Sequence, residues 1–254
     1  MRRAGALLLL LAGCEGALPP LRGELEPGKD AYVVFVGGTG QAGGDLYAVA
    51  ARGGAAQPIT YSGVGEMRPA LSPDGAAVAF LRGASLRDTT PGTVWVMNLL
   101  SGAERQLELP KGSTPEAVGW SEGGRALVVR AGGGLFRFAT PPAHGAGVAV
   151  TGAAKASAES ALAVLLGEPA FARAVPCADP EDVCVVSDTA APALLARGVR
   201  DPARWGADSV AYVAGNAILV RPLGPGRERR LEMTGAPRAP RQITVFTGSA
   251  PSSP

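Results

Sequence analysis

Arg68-Pro69-Ala70-Leu71-Ser72-Pro73-Asp74-Gly75-Ala76-Ala77-Val78-Ala79-Phe80-Leu81 joins a short apolar segment, a tight reversal and a second apolar segment. Its centre has turn chemistry. Pro73 presets φ at about −65°, Asp74 can accept from nearby backbone N–H groups, and Gly75 tolerates positive φ. The segment after the turn, Ala76 to Leu81, is apolar throughout and has strand length. A strand without a polar face is covered on both sides, so this hairpin requires further sheets packed against it.

The same layout recurs twice. Ala117-Val118-Gly119-Trp120-Ser121-Glu122-Gly123-Gly124-Arg125-Ala126-Leu127-Val128-Val129 repeats it, and so does Pro202-Ala203-Arg204-Trp205-Gly206-Ala207-Asp208-Ser209-Val210-Ala211-Tyr212-Val213. Leu71, Trp120 and Trp205 hold equivalent places, about 49 and about 85 residues apart, which is one and two periods of the ~40 to 50 residues of a propeller blade. A degraded copy is expected between Ser160 and Gly198, where Val183 to Asp188 and Ala193 to Gly198 have the pattern of later blade strands. Each unit continues with a further β-rich segment, as in Thr93 to Asn98, Gly134 to Phe138 and Ala217 to Arg221, and then a turn and a closing strand. Trp120 and Trp205 are expected to pack between blades, since one indole buries about 150 to 250 Å².

The first unit contains Ala31 to Val36, Asp45 to Ala50 and Gln57 to Thr60 but no innermost strand. The tail, Arg241-Gln242-Ile243-Thr244-Val245-Phe246-Thr247, has strand character and is expected to supply it, closing the ring and removing an exposed edge. The fold expected is all-β: a β-propeller over residues 30–248, built of four-stranded antiparallel blades. Five blades is the simplest count, and six stays open if Gly145 to Glu159 holds further strands.

At Leu71-Ser72-Pro73-Asp74-Gly75 the chain resembles the WD-like repeats of TolB-type propellers, whose typical unit carries an aromatic residue before Ser-Pro-Asp-Gly. Leu71 to Phe80 fits best; Glu122-Gly123 replaces Pro-Asp in the second copy, and Gly206-Ala207-Asp208-Ser209 keeps only the carboxylate in the third. The resemblance spans residues 30–233 and implies either periplasmic binding or the propeller half of a prolyl-oligopeptidase-like hydrolase. No hydrolase half follows the repeats in this sequence.

Met1-Arg2-Arg3, an apolar run from Ala4 to Leu11, and Leu11-Ala12-Gly13-Cys14 read as a signal peptide over 1–13 with a lipobox. The run is too short to cross about 30 Å of hydrocarbon as a permanent helix. Resemblance to bacterial lipoproteins implies cleavage before Cys14 and lipidation of its thiol. A flexible linker is then expected over 14–29 and a disordered tail over 249–254, rich in Ser and Pro. With Glu15 after Cys14, the placement expected is the outer membrane facing the periplasm, ahead of the inner membrane or the cell surface. Taking Cys14 for the lipid leaves Cys177 and Cys184, flanking Asp179-Pro180-Glu181-Asp182, to pair as a disulfide in an oxidising compartment.

Lys and Arg number 24 against 22 Asp and Glu, and they are scattered along the chain, so nucleic acid is not an expected partner. The lone His144 lies in a proline-rich loop and no Gly-x-Ser-x-Gly elbow is present, which leaves no Ser-His-Asp triad. The Gly-rich stretch from Gly37 to Gly44 joins two strands and lacks a helix to cradle phosphate. No cofactor, metal site or catalytic residue is expected. The one enzymatic route left open is a carboxylate-dependent hydrolase in which Asp74, Asp88, Asp188, Asp201 and Asp208 converge; a carbohydrate- or peptide-binding propeller is the other alternative. The reading preferred is a protein-binding or scaffold module of the cell envelope, whose partner meets a rim formed where the innermost strands begin, by Glu66, Arg68, Glu116, Arg200 and Asp201.

Overall fold

A computed structural model describes residues 21, 25–38, 43–85, 90–121, 124–139, 147–150, 173–179, 182–187, 190–237 and 239–248. His144, Asp88, Asp188, Cys14, the leader and residues 249–254 lie outside this set. The described residues form strands and turns without an α-helix. No helix among them is long and apolar enough to cross a membrane.

In chain order the first unit holds β1 (Tyr32–Gly37), β2 (Asp45–Ala50), β3 (Gly54–Ala55) and β4 (Gln57–Pro58), and the second β5 (Glu66–Leu71), β6 (Ala77–Arg82), β7 (Thr93–Asn98) and β8 (Glu104–Leu107). The third holds β9 (Pro115–Trp120), β10 (Ala126–Ala131), β11 (Gly134–Ala139) and β12 (Val148–Ala149), followed by β13 (Arg173–Pro176), β14 (Val183–Ser187) and β15 (Ala190–Ala196). The last comprises β16 (Arg200–Trp205), β17 (Ser209–Ala214), β18 (Ala217–Pro222) and β19 (Arg229–Arg230), then β20 (Met233–Thr234) and β21 (Arg241–Phe246). Four sheets are four-stranded, ordered β21-β1-β2-β4, β5-β6-β7-β8, β9-β10-β11-β12 and β16-β17-β18-β19, and a fifth is β13-β14-β15. Neighbours within all five are antiparallel.

Burial along the second strand of each sheet shows how the sheets stack. Alternate residues of β1 enter two different clusters: Tyr32, Val34 and Val36 pack with Val78 and Phe80, whereas Val33 and Phe35 pack with Ala211 and Val213. Likewise Ala79 and Leu81 of β6 turn to Leu127 and Val129 of the third sheet. On the far side of the last sheet Val210 and Tyr212 meet Leu195 and Ala196 of β15. The first, second and last sheets are therefore each packed between two others. A side-chain period of two divides the apolar run equally between the two interfaces, which is why these strands carry no polar face. The third strands, farther out, alternate more: β7 reads intermediate, buried, intermediate, buried, buried, exposed.

The inner strands complete the picture of a β-propeller. β21 lies beside both β5 and β16, and β5 lies beside β9, so the starting strands of successive sheets surround one axis. β21, from the C-terminal end, takes the innermost place in the first sheet by pairing Tyr32 with Phe246 and Val33 with Val245. A second clasp lies at the outside, where β20 runs parallel to β3. The fourth sheet differs from its neighbours. Only Arg197, Gly198 and Val199 separate β15 from β16, too few to return along a blade, so β15 occupies the outermost position and β13 the second. Among the described residues this sheet has three strands.

The described inner strands run the same way; β5, β9 and β16 each end where the Ser-Pro-Asp-Gly turn or its counterpart stands, and β21 ends with Phe246 against the turn after β5. Here Asp74 Oδ1 accepts from the Ala76 N–H at 3.0 Å and from Ser72 Oγ at 2.5 Å. Gly75 sits at φ +64°, and a Cβ there would lie 2.5 Å from the Phe246 ring, so the glycine answers both the turn and the closing strand. Within the stretch expected to be flexible linker, Gly28 lies against this turn, where a Cβ would be 3.2 Å from the Asp74 carbonyl. Leu25, and Leu21 before it, are 3% and 4% exposed and belong to the cluster joining the first two sheets. Their apolar side chains find an open end of that cluster, which outweighs the glycine and proline content around them.

Candidate functional site

Each described inner strand is interrupted near its start. On β5 the register against β6 shifts between Met67 and Ala70, and on β16 it shifts against β17 between Arg200 and Ala203. On β21 it shifts between Thr244 and Arg241, and on β9 between Ala117 and Pro115. An extra residue is accommodated each time, as in a β-bulge. In three of the strands the bulge carries a non-glycine residue in the left-handed region: Arg68 at φ +52°, Asp201 at +53° and Gln242 at +50°. Such backbone costs about 1 to 2 kcal/mol per residue and persists where surrounding structure holds it. Pro69 and Pro202 follow two of these residues; proline has no N–H to leave unpaired at a broken ladder.

Side chains bind the inner strands to one another. Gln242 Oε1 accepts the Arg68 N–H at 2.6 Å, and Thr244 Oγ1 accepts the Leu71 N–H at 3.2 Å. Trp120 Nε1 donates to the Ala70 carbonyl at 2.9 Å. Trp120 and Trp205 both pack against inter-sheet clusters, and the Arg229 guanidinium stacks 4.9 Å from the Trp205 ring centre.

The bulges line an axial cavity of about 420 Å³ that is open to solvent, to which β5 contributes Arg68 and Pro69, β9 Ala117 and Val118, β16 Asp201 and Pro202, and β21 Gln242 and Ile243. It lies in the half of the inner strands remote from the Ser-Pro-Asp-Gly turns. The Arg68 residue is exposed, and its guanidinium has no ion-pair partner among the described residues. Asp201 lies 3.7 Å from Arg200. Beside them Arg241 donates from Nη2 to the Gly43 carbonyl while its buried Nε has no hydrogen-bond partner. Burial lowers the pKa of this guanidinium, Asp201 opposes the shift and Arg200 adds to it.

The sequence-derived rim is thus divided by the structure. Arg68 and Asp201 line the cavity, and Arg200 stands beside it. Glu116 is engaged laterally, 3.1 Å from Arg130 and accepting the Gly133 N–H at 3.4 Å. Glu66 is placed inside the fold and not on a rim, at 0% exposed. Its carboxylate accepts from Thr60 Oγ1 at 2.9 Å and Ser62 Oγ at 2.5 Å and pairs with Arg82 at 3.0 Å. Burial pushes the Glu66 carboxyl above its ordinary value, against the Ser62 hydrogen bond, the Arg82 charge and the Thr60 hydrogen bond. Arg82 also reaches Glu104 at 2.9 Å and lies over the Trp95 ring at 4.4 Å. Folding the hairpin about Pro73 to Gly75 places Glu66 opposite Arg82, a cross-strand charge pair that the sequence contained as a signal.

Gln242 and Arg241 were missed as site residues. Their signal was the tail strand itself: once it is the innermost strand of the first blade, its second residue takes the position of Arg68 and Asp201. Asp74 and Asp208 sit in turns at the opposite end of the inner strands from Asp201, so these carboxylates do not converge. No group of three or more His, Cys, Asp or Glu that could hold a metal is present among the described residues. Cys177 and Cys184 are bonded, across the hairpin of β13 and β14 in which Val175 faces Cys184.

No protein-family model matches the chain, and no curated protein matches it either. Among solved structures it is similar to TolB from Acinetobacter baumannii at 16% identity and a TM-score of 0.36, over 79% of this chain and 51% of that one. It is also similar to a chain of a nidogen/laminin complex at 10% identity and a TM-score of 0.39, over 86% of this chain and 100% of that one. A third is the tricorn protease, at 15% identity and a TM-score of 0.33, over 77% of this chain and 19% of that one. The chain therefore spans about half the length of the TolB it matches. The propeller assignment stands on the sheet order, register and split clusters described above.

Proposed function

We propose that this chain is a binding propeller of the cell envelope, tethered through a lipid on Cys14, whose protein partner engages the axial cavity. The observation carrying the reading is the convergence of four inner strands on one cavity with left-handed Arg68, Asp201 and Gln242 at its wall. Strained backbone held by its surroundings concentrates at functional sites, and an uncommitted guanidinium such as Arg68 suits a carboxylate on a partner. The lipobox supports the tether and envelope placement, with the outer membrane facing the periplasm preferred.

The test is affinity capture from envelope extracts with the lipidated protein. A stoichiometric partner is expected with the native chain and with Arg125→Glu, which lies in a turn at the far end of the inner strands. Arg68→Glu and Asp201→Arg are expected to lose it. Retention by both reversals removes the cavity from the interface; hydrolysis of a peptide or glycoside panel abolished by Asp201→Asn replaces the binding reading with an enzymatic one.

A further inference from the structure

We infer that the lipid tether holds this propeller with its Ser-Pro-Asp-Gly turn face toward the membrane and its axial cavity facing away, so that the partner approaches from the aqueous side. This rests on the proposed lipidation of Cys14 and extends it to orientation and partner class.

The N-terminal segment belongs to one face. β1 begins beside the end of β21, pairing Tyr32 with Phe246. The Tyr32 hydroxyl donates to the Gly75 carbonyl at 2.6 Å. A Cβ on Gly28 would touch the Asp74 carbonyl at 3.2 Å, and one on Gly248 the Lys29 carbonyl at 3.1 Å. Asp74 and Gly75 mark the face where inner strands end, while Arg68, Asp201 and Gln242 lie toward where they begin. The described start of the chain at Gly28 to Tyr32 and the cavity therefore occupy opposite faces.

Few residues separate Cys14 from the body of the protein, because Leu21 and Leu25 are buried in the cluster joining the first two sheets. Seven residue steps separate Cys14 from Leu21, at most about 25 Å when fully extended. A six-residue strand such as β5 stands about 20 Å tall. A tether that leaves from the turn face must climb that height and also pass around the outer strands to turn the cavity to the membrane, and about 5 Å is left for the second part. A partner embedded in the same leaflet is thereby disfavoured against a soluble protein or one presented by an opposing surface.

The experiment uses full-length protein, purified with its lipid and placed in vesicles containing headgroup-labelled quencher lipids. Bimane is attached at Ser101→Cys on the turn face or at Lys111→Cys on the cavity face, both exposed positions. Severalfold stronger quenching at position 101 than at 111 is expected, and a Gly/Ser insertion of about 20 residues after Glu15 should bring the two together. Equal quenching, or stronger quenching at 111, in protein whose intact mass carries the lipid overturns the inference. An intact mass without lipid instead overturns the tether on which it rests, so the two failures are distinguishable.

Discussion

Glu66 is a carboxylate buried without solvent access, and its behaviour follows from that burial. Removing one partner of a buried ion pair leaves an uncompensated charge, at about 3 to 5 kcal/mol. Arg82→Ala is therefore expected to destabilise by that order near neutral pH, measured as a lower urea midpoint at unchanged slope. The pH dependence has a definite sign. Because burial raises Glu66 above its unfolded value, its contribution is complete below the unfolded value and is lost as pH rises through the folded one. The stability of the native chain relative to Glu66→Gln should thus fall as pH rises above the ordinary glutamate value of about 4.3, read from the two unfolding midpoints at each pH. Asp45, also raised by burial, is common to both proteins and cancels. A difference that grows with pH would contradict the assignment.

Single turns and hairpins decide the stability of individual blades. Gly75→Ala places a methyl group 2.5 Å from the Phe246 ring at φ +64°; overpacking of this kind costs about 1 to 3 kcal/mol. The effect should appear as a lowered denaturation midpoint, whereas Gly112→Ala, at φ +81° but with open space around it, keeps only the smaller backbone part. The β13-β14 hairpin is closed by Cys177 and Cys184, seven residues apart, and the loop-entropy relation assigns such a crosslink about 2 to 3 kcal/mol. Replacing both by Ser is expected to lower stability by that amount in a denaturant titration under oxidising conditions. A neutral result would mean that residual structure in the unfolded chain already restricts this loop without the crosslink.

Closure governs the molecule as a whole. β21 both completes the first sheet and stands between β5 and β16 at the axis, so deleting residues 241–254 should expose the β1 edge and abolish the cavity wall together. Loss of cooperative unfolding and formation of aggregates are expected, measured by circular dichroism and sedimentation velocity. A soluble, cooperatively unfolding truncation would show that the β20-β3 clasp alone is enough to hold the ring.

Much of this organisation was present in the order of residues. The Ser-Pro-Asp-Gly turn, the doubly apolar strands after it, the spacing of Leu71, Trp120 and Trp205, and the strand character of the tail together specify sheets that must stack around an axis, because turn chemistry and side-chain period depend only on chain neighbours. What the tertiary structure alone decided is where each polar side chain of the inner strands ends up. Glu66 and Arg68 stand two positions apart on one strand, yet one is sealed between blades and the other lines the cavity. The difference comes from a bulge whose left-handed residue is held by Gln242, 174 positions away, and a contact across that separation leaves no local trace in sequence. Leu21 and Leu25 lie in a stretch that reads as linker, and only the open end of the cluster between the first two sheets gives them a place to be buried.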